Sequence, residues 1–256
     1  MTKIIFFDID GTLVDMERKV ISTKTLETLQ RLKENNILLV ISTGRAPVSL
    51  PDFKDHFDAF STFNGSYCFN NKETILTNPI PKKDVQTLIH NATMMHKPVA
   101  ISPKDILVAN GDRDPDLAEY FSFSKSKINV SLEFEEFAKQ DVYQVMMSGR
   151  KEQYPEILKN IKQAKIAAWW DRAVDIIPST SGKGIAVNHI LDYYNINKSE
   201  SLAFGDGNND IEMLEAVGTG VAMKNASNEL KAIADDICGD VKDDGIYHYC
   251  LEHHLI

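Results

Sequence analysis

The segment Asp8-Ile9-Asp10-Gly11-Thr12 sets two carboxylates two positions apart at the end of an apolar run, Ile4-Ile5-Phe6-Phe7. Alternate residues leaving a strand point to the same side, so both acids can face one ligand, and Gly11 permits a sharp turn directly after them. A carboxylate so placed can attack phosphorus and form an acyl phosphate, which splits one hard displacement into two easier ones. The second carboxylate can protonate the leaving alkoxide and then deprotonate the attacking water. A further acidic constellation is Gly205-Asp206-Gly207-Asn208-Asn209-Asp210. Magnesium prefers hard oxygen ligands, commonly one or two carboxylates with waters and phosphate oxygens, and Asp8 and Asp206 can supply them. Asp210 and Asn209 would orient those ligands from behind. Thr43, in Ser42-Thr43-Gly44-Arg45, offers a hydroxyl and nearby N–H groups to phosphoryl oxygens. Lys183, between Gly182 and Gly184, offers a point charge. Taken singly, each segment also has an ordinary reading: an acidic turn, a helix cap, a solvated lysine.

The elements around these residues argue that they meet. Residues 3–7, 37–41, 59–63, 202–205 and 219–223 are apolar runs of the kind found in strands buried on both faces. Helical patterns separate them: Ser22 caps a helix running to about Asn35 with Leu26, Leu29 and Leu32 inward, a short helix leads toward His56, and others span 182–194 and 209–216. Strand–helix alternation predicts a doubly wound, Rossmann-like parallel α/β sheet. In such sheets ligands bind outside the carboxyl ends of the strands, which is where Asp8, Asp10, Thr43 and Asp206 stand.

The middle of the chain has a different rhythm. Asn64-Gly65 and Asn70-Asn71 mark turns around a hairpin, and Pro79 and Pro81 punctuate the stretch beyond it. From 82 to 177 the pattern predicts helices at 82–96, 115–123 and 152–163 and strands at 98–102, 105–109, 142–148, 166–170 and 173–177. The expectation is a catalytic core from residues 1–81 and 178–256, with 82–177 inserted as an α+β cap domain. Trp169 and Trp170 fall on one predicted cap strand and so face opposite ways, one toward the cap core and one available to a ligand. Met94-Met95 and Met146-Met147 read as packing residues, and His253-His254 as exposed.

Composition bounds the function. With 256 residues the chain has room for two domains, and 43% hydrophobic and 25% charged residues are ordinary globular values. A formal charge of -9 disfavours a nucleic-acid partner, while leaving room for an anionic ligand in a locally positive site. No run is long enough for a membrane span or signal peptide. Three cysteines without CxxC spacing suggest free thiols, and a cytoplasmic location is expected. The sequence carries no signal for an oligomeric state.

Together the motifs resemble those of the haloacid dehalogenase superfamily of phosphotransferases. The D-x-D-G-T motif is similar to Asp8–Thr12, the strand-ending Thr to Thr43, the helix-start Lys to Lys183, and G-D-x-x-N-D to the run from Gly205 to Asp210. The large insert, Ser42-Thr43-Gly44-Arg45 and Phe63-Asn64-Gly65 resemble the Cof-type subfamily. The resemblance implies a Mg2+-dependent phosphatase acting on a small phosphorylated metabolite, a sugar phosphate or a similar monoester. It implies Asp8 as nucleophile, Asp10 as general acid/base, and Thr43 and Lys183 as phosphate-binding residues. It further implies a metal set of Asp8, Asp10 (through its backbone carbonyl), Asp206 and the neighbouring Asp210. Arg45, Asn64 and Asn209 are implied as substrate contacts. Two rivals stay open: a phosphomutase, which returns the phosphoryl group to substrate, and a signalling switch, which also uses a phosphorylatable Asp with a Thr and a Lys.

Overall fold

The computed structural model describes residues 1–123, 127–168 and 170–256. In chain order the strands are β1 (Ile4–Phe7), β2 (Leu38–Ser42), β3 (Ala59–Thr62), β4 (Tyr67–Asn70), β5 (Thr74–Thr77), β6 (Val99–Pro103), β7 (Val108–Ala109), β8 (Val142–Ser148), β9 (Ala164–Ala167), β10 (Ala173–Pro178), β11 (Ser201–Gly205), β12 (Thr219–Ala222) and β13 (Asp236–Ile237). The helices are α1 (Thr23–Glu34), α2 (Lys82–Met94), α3 (Pro115–Phe123), α4 (Phe134–Phe137), α5 (Tyr154–Ile157), α6 (Lys183–Tyr194), α7 (Ile211–Ala216), α8 (Asn228–Ile233) and α9 (Gly245–Glu252). The described residues divide into two compact units, one of 1–43, 51–76 and 182–256, the other of 44–50 and 77–181. Segment 44–50, which precedes the insert in sequence, groups with the second unit.

The first unit is built on an eight-stranded sheet ordered β13-β12-β11-β1-β2-β3-β4-β5. From β13 to β3 neighbouring strands are parallel, and β4 returns antiparallel to β3. All four residues of β1 are fully buried, as expected of a central strand covered on both faces. Helix α1 begins where the Ser22 side chain accepts the Thr25 N–H, and it ends with Arg31 and Lys33 in its last turn, where cations oppose the negative end of the dipole. Its inward face is Thr25, Thr28, Leu29 and Leu32, with Leu26 only partly covered. The chain moves outward from β1 through β2 to β3, then restarts at β11 on the other side of β1 and moves out to β13. The winding therefore reverses between β1 and β11, the crevice at which doubly wound sheets bind ligands.

The second unit is a five-stranded sheet, β7-β6-β8-β10-β9, paired antiparallel throughout. Strand alternation sorts its faces. Ile101, Val145, Met147, Val174 and Ile176 pack with Val85, Leu88 and Ile89 of α2, while Ala100 and Met146 pack with Leu117 and Phe121 of α3. This is the α+β architecture expected of the insert.

Several local expectations fail for identifiable reasons. The helix toward His56 is instead two 3-10 turns, Pro47–Ser49 and Asp52–His56, because Pro47 and Pro51 interrupt the pattern. The helix expected over 152–163 shrinks to α5. Pro155 sits in its first turn, and Asn160 takes a left-handed φ of 63° just beyond it. The strand expected at 105–109 keeps only the two residues of β7. The strand expected at 166–170 lies earlier, as β9, because pairing of Pro178 with Ala164 and of Asp175 with Ala167 fixes its register. Trp170 consequently leaves the sheet and meets Phe123 edge-on, and Trp169 lies outside the described residues. Met94 is exposed rather than packed. Beyond β12 the sequence has little regular patterning, so α8, β13 and α9 are elements that periodicity does not announce.

Phe204 anchors the first unit's core. It is fully buried, stacked on Phe7 at 5.4 Å and edge-on to Tyr249 at 5.4 Å. Phe204→Ala is expected to cost about 3–5 kcal/mol of unfolding free energy, because the cavity sits between packed strands. Ile237→Ala, at a half-exposed position of edge strand β13, should stay within about 0.5 kcal/mol. Urea unfolding of the two variants checks this, and equal costs would contradict the packing described.

Candidate active site

The parallel strands of the first unit end at the same edge of the sheet, and the residues after them form one cluster. After β1 the chain turns at once: the Ile9 carbonyl accepts N–H groups of Leu13 and Val14, at 3.0 and 2.8 Å. Ile9 is fully buried in the core, while Asp8 and Asp10, on either side of it, leave in the opposite sense. Gly11 takes a φ of 88°, and a Cβ there would lie 2.1 Å from Asp206 Oδ2. Only glycine allows the β1 loop to pass beneath that carboxylate.

Lys183 opens α6 and its side chain is completely buried. Its Nζ donates to Asp8 Oδ1 at 2.6 Å and to Asp210 Oδ1 at 2.5 Å. A cation at a helix N-terminus opposes the dipole, so these two carboxylates must hold it. Burial alone would strip its proton, but the charges of Asp210 and Asp8 outweigh burial and lift the group above the ordinary lysine range. The other oxygen of Asp210 accepts the N–H groups of Asp206 and Gly207, both at 3.0 Å. Both Asp210 oxygens are therefore engaged, one on the lysine and one on the loop that carries Asp206.

Asp8, Asp206 and Asp210 each place an oxygen within 4.8 Å of the others'. Burial pushes the Asp8 carboxyl up to about 7; Lys183 opposes the rise, and Asp210 and Asp10 reinforce it. Burial likewise raises Asp206 well above the carboxylate range, helped by the charges of Asp8 and Asp210 and opposed by the Thr12 hydroxyl and Lys183. Three carboxylates around one ammonium leave a surplus of negative charge on hard oxygens. That donor set suits a small divalent cation such as Mg2+.

The remaining sequence candidates fall in two places. Thr43 ends β2 in a buried position; its N–H donates to the Ser61 carbonyl at 2.9 Å and its own carbonyl accepts the Asn64 N–H at 3.0 Å. Asn64 and Asn209 are joined directly, Asn209 Nδ2 donating to Asn64 Oδ1 at 3.1 Å. Arg45 belongs to the second unit, where its Nη1 donates to the Ser49 carbonyl at 3.2 Å.

Three further residues hold this cluster, and two of them, Asn225 and Ser227, do not stand out in the sequence. Thr12 Oγ1 donates to Asp206 Oδ1 at 2.9 Å. Asn225 Nδ2 donates to the Gly11 carbonyl at 2.8 Å, while Asn225 Oδ1 accepts the Val241 N–H at 3.1 Å. The Ser227 N–H donates to the Asp206 carbonyl at 2.9 Å. A signal for Asn225 and Ser227 does exist, since they follow β12 as Asp206 follows β11. Their side chains bear no charge, and polar residues after a strand read as an ordinary turn.

Comparison with known proteins places this arrangement in a family. A 5-amino-6-(5-phospho-D-ribitylamino)uracil phosphatase of Bacillus subtilis strain 168 is 29% identical over 268 residues, covering 98% of this chain and 97% of its own. A pyridoxal phosphate phosphatase of Escherichia coli K12 is 27% identical over 278 residues, covering 98% of each chain. The solved structure of a subclass IIB sugar phosphatase of the haloacid dehalogenase superfamily superposes with a TM-score of 0.90 at 28% identity, covering 100% of both chains. The sequence profile of the haloacid dehalogenase-like hydrolases matches residues 5–250, and the chain belongs to that family.

Proposed function

We propose that this enzyme is a Mg2+-dependent phosphatase that hydrolyses small phosphate monoesters through a phosphoryl group carried on Asp8. The observation that carries the reading is the buried Lys183 bridge between Asp8 and Asp210, beside the half-buried Asp206. Lys183 fixes Asp8 through one oxygen and adds positive charge where a phosphoryl group needs it. The second Asp8 oxygen forms a bond to phosphorus as the bond from phosphorus to the leaving alkoxide breaks. Asp10 gives its proton to that alkoxide, then takes one from the water that attacks phosphorus and frees Asp8. Thr43, at the end of β2, holds a phosphoryl oxygen. Bound Mg2+ supplies charge that offsets the phosphoryl oxygens. Asp8 and Asp206, with the Asp10 backbone carbonyl, would hold it. Asp210, whose oxygens are engaged on Lys183 and the Asp206 loop, is assigned to anchoring rather than ligation.

The substrate class is drawn from the relatives, whose names include a phosphoribityl pyrimidine, a cofactor phosphate and a sugar phosphatase. We assign discrimination among such monoesters to the residues of the second unit. Substitutions there should change relative kcat/KM among substrates while the first unit's fold persists.

Phosphate release from a panel of phosphorylated metabolites tests the chemistry. A chelator should stop turnover and Mg2+ should restore it. Asp8→Asn should lower turnover by at least about 10³-fold, the scale seen when a nucleophile is removed. With an aryl phosphate, whose leaving group needs little protonation, Asp10→Asn should accumulate a phosphoryl adduct on Asp8 after rapid quenching. An adduct on another residue, or near-normal turnover in Asp8→Asn, would overturn the mechanism.

Metal affinity should depend on pH. Between its ordinary value of 3.8 and about 7, Asp8 is ionised in the unfolded chain and protonated in the metal-free fold. Stability from this group is therefore fully present at low pH and is lost as pH rises to about 7. Mg2+ takes the deprotonated carboxylate, so its affinity rises as the pH climbs toward and past about 7. Calorimetric Mg2+ titrations should show roughly tenfold weaker binding at about pH 6 than at about pH 8. Equal affinities would remove Asp8 from the ligand set.

A further inference from the structure

We infer that Asn64 is a positioning residue whose side chain ties the turn after β3 to the loop carrying Asp206 and Asp210, and not a substrate contact. The inference rests on the proposed phosphatase reading for what those loops do. Its structural basis is the turn after β3, where Phe63, Asn64 and Gly65 take successive φ values of 53°, 50° and 90°. Left-handed backbone is costly for a β-carbon-bearing residue and most so for a bulky one. Phe63 is nevertheless fully buried in that conformation. Strain of this kind persists only where the surroundings fix it, and it concentrates at functional sites.

The surroundings here are the catalytic loops. The Asn64 N–H reaches the carbonyl of Thr43 at 3.0 Å, which ties the turn to the end of β2. Asn64 Oδ1 accepts Asn209 Nδ2 at 3.1 Å, which ties it to the loop carrying Asp206 and Asp210. Gly65 lies so close to the start of α6 that a Cβ on it would stand 2.2 Å from the Gly182 carbonyl oxygen, next to Lys183. Ser66 closes the turn, its N–H and Oγ both donating to the Phe63 carbonyl, at 3.2 and 2.9 Å. One left-handed turn thus touches the loops bearing the phosphate-binding threonine, the buried lysine and the metal-facing acids. Asn64 is itself 2% exposed, and its amide oxygen already serves Asn209. A buried amide with its acceptor committed to a neighbouring loop is suited to spacing those loops.

The test compares Asn64→Gly, which keeps the left-handed backbone and removes the amide, with Asn209→Ala and the double variant. Asn64→Gly should lower kcat by about 10–100-fold, the range for residues that orient metal ligands. The loss should be equal for p-nitrophenyl phosphate and glucose 6-phosphate, and Mg2+ affinity measured by calorimetry should weaken several-fold. Asn209→Ala should match it, and the double variant should be no worse than either, because both remove the same bond. Unequal loss for the two substrates with unchanged Mg2+ affinity would show a substrate contact and overturn the inference. Wild-type kcat and Mg2+ affinity in Asn64→Gly would also overturn it. If the wild-type protein itself releases no phosphate, the phosphatase reading falls. The non-additivity of the Asn64→Gly and Asn209→Ala unfolding energies then decides the linkage alone, and additive energies would end it.

Discussion

A lysine with no exposed side-chain surface is the constraint around which the first unit is arranged. A buried ammonium is tolerable only if its charge is met by close, well-oriented carboxylates. Here two meet it, one from the end of β1 and one from the turn between β11 and α7. The partners lie 175 and 27 positions from Lys183 in sequence. The pairing therefore requires the N-terminal strand, the start of α6 and the β11 loop to coincide. If any one moved away, a charge would remain buried without compensation, which costs more than the intact pairing contributes. Two of these groups, Asp8 and Lys183, are also those assigned to chemistry, and Asp210 anchors them.

The topology makes this coincidence achievable. Strand β1 sits between β2 and β11, and the winding reverses beside it, so loops leave in opposite directions and open a crevice above the strand ends. Asp8 and Asp206 flank that reversal. Small polar groups then take up the remaining freedom. Thr12 and the Asp210-bound N–H groups set Asp206, and Asn225 holds the peptide of Gly11 on which Asp206 rests. Such fixed donors need no reorganisation when charge arrives, which is what electrostatic stabilisation of a transferring group requires.

The core strands and the charged residues are readable from the sequence because each obeys a local rule. Buried parallel strands are unbroken apolar runs, and ligand groups follow their carboxyl ends, so Asp8, Thr43 and Asp206 can be placed without coordinates. The Thr43–Asn64 and Asn209–Asn64 bonds are not readable, because they depend on a turn whose φ values defy the usual preference of phenylalanine. Asn225 escapes notice for a related reason: its partner is a backbone carbonyl 214 positions away, and no side-chain pattern marks it. In the second unit the errors are of register and length. Strand β9 is displaced by its pairing with β10, and α5 is cut short near Pro155 and Asn160. Pairing partners and left-handed breaks are tertiary facts that a window of sequence does not contain.

The acidic cluster is held in a state that its own electrostatics oppose. Asp8 raises the proton affinity of Asp206, and one lysine cannot neutralise Asp8, Asp206 and Asp210 together. Side chains on free loops would relieve this by rotating apart into solvent. They do not, because Asp206 is bound at both its carboxylate and its backbone, and Asp210 is bound at both oxygens. Protonation of Asp8 below about pH 7 therefore relieves part of the repulsion in the metal-free fold, and a divalent cation would displace that proton and supply the positive charge the cluster lacks. Stability surrendered in the metal-free fold becomes affinity for the ligands the site is proposed to take, a trade expected wherever a strained, preorganised site is kept in place by the structure around it.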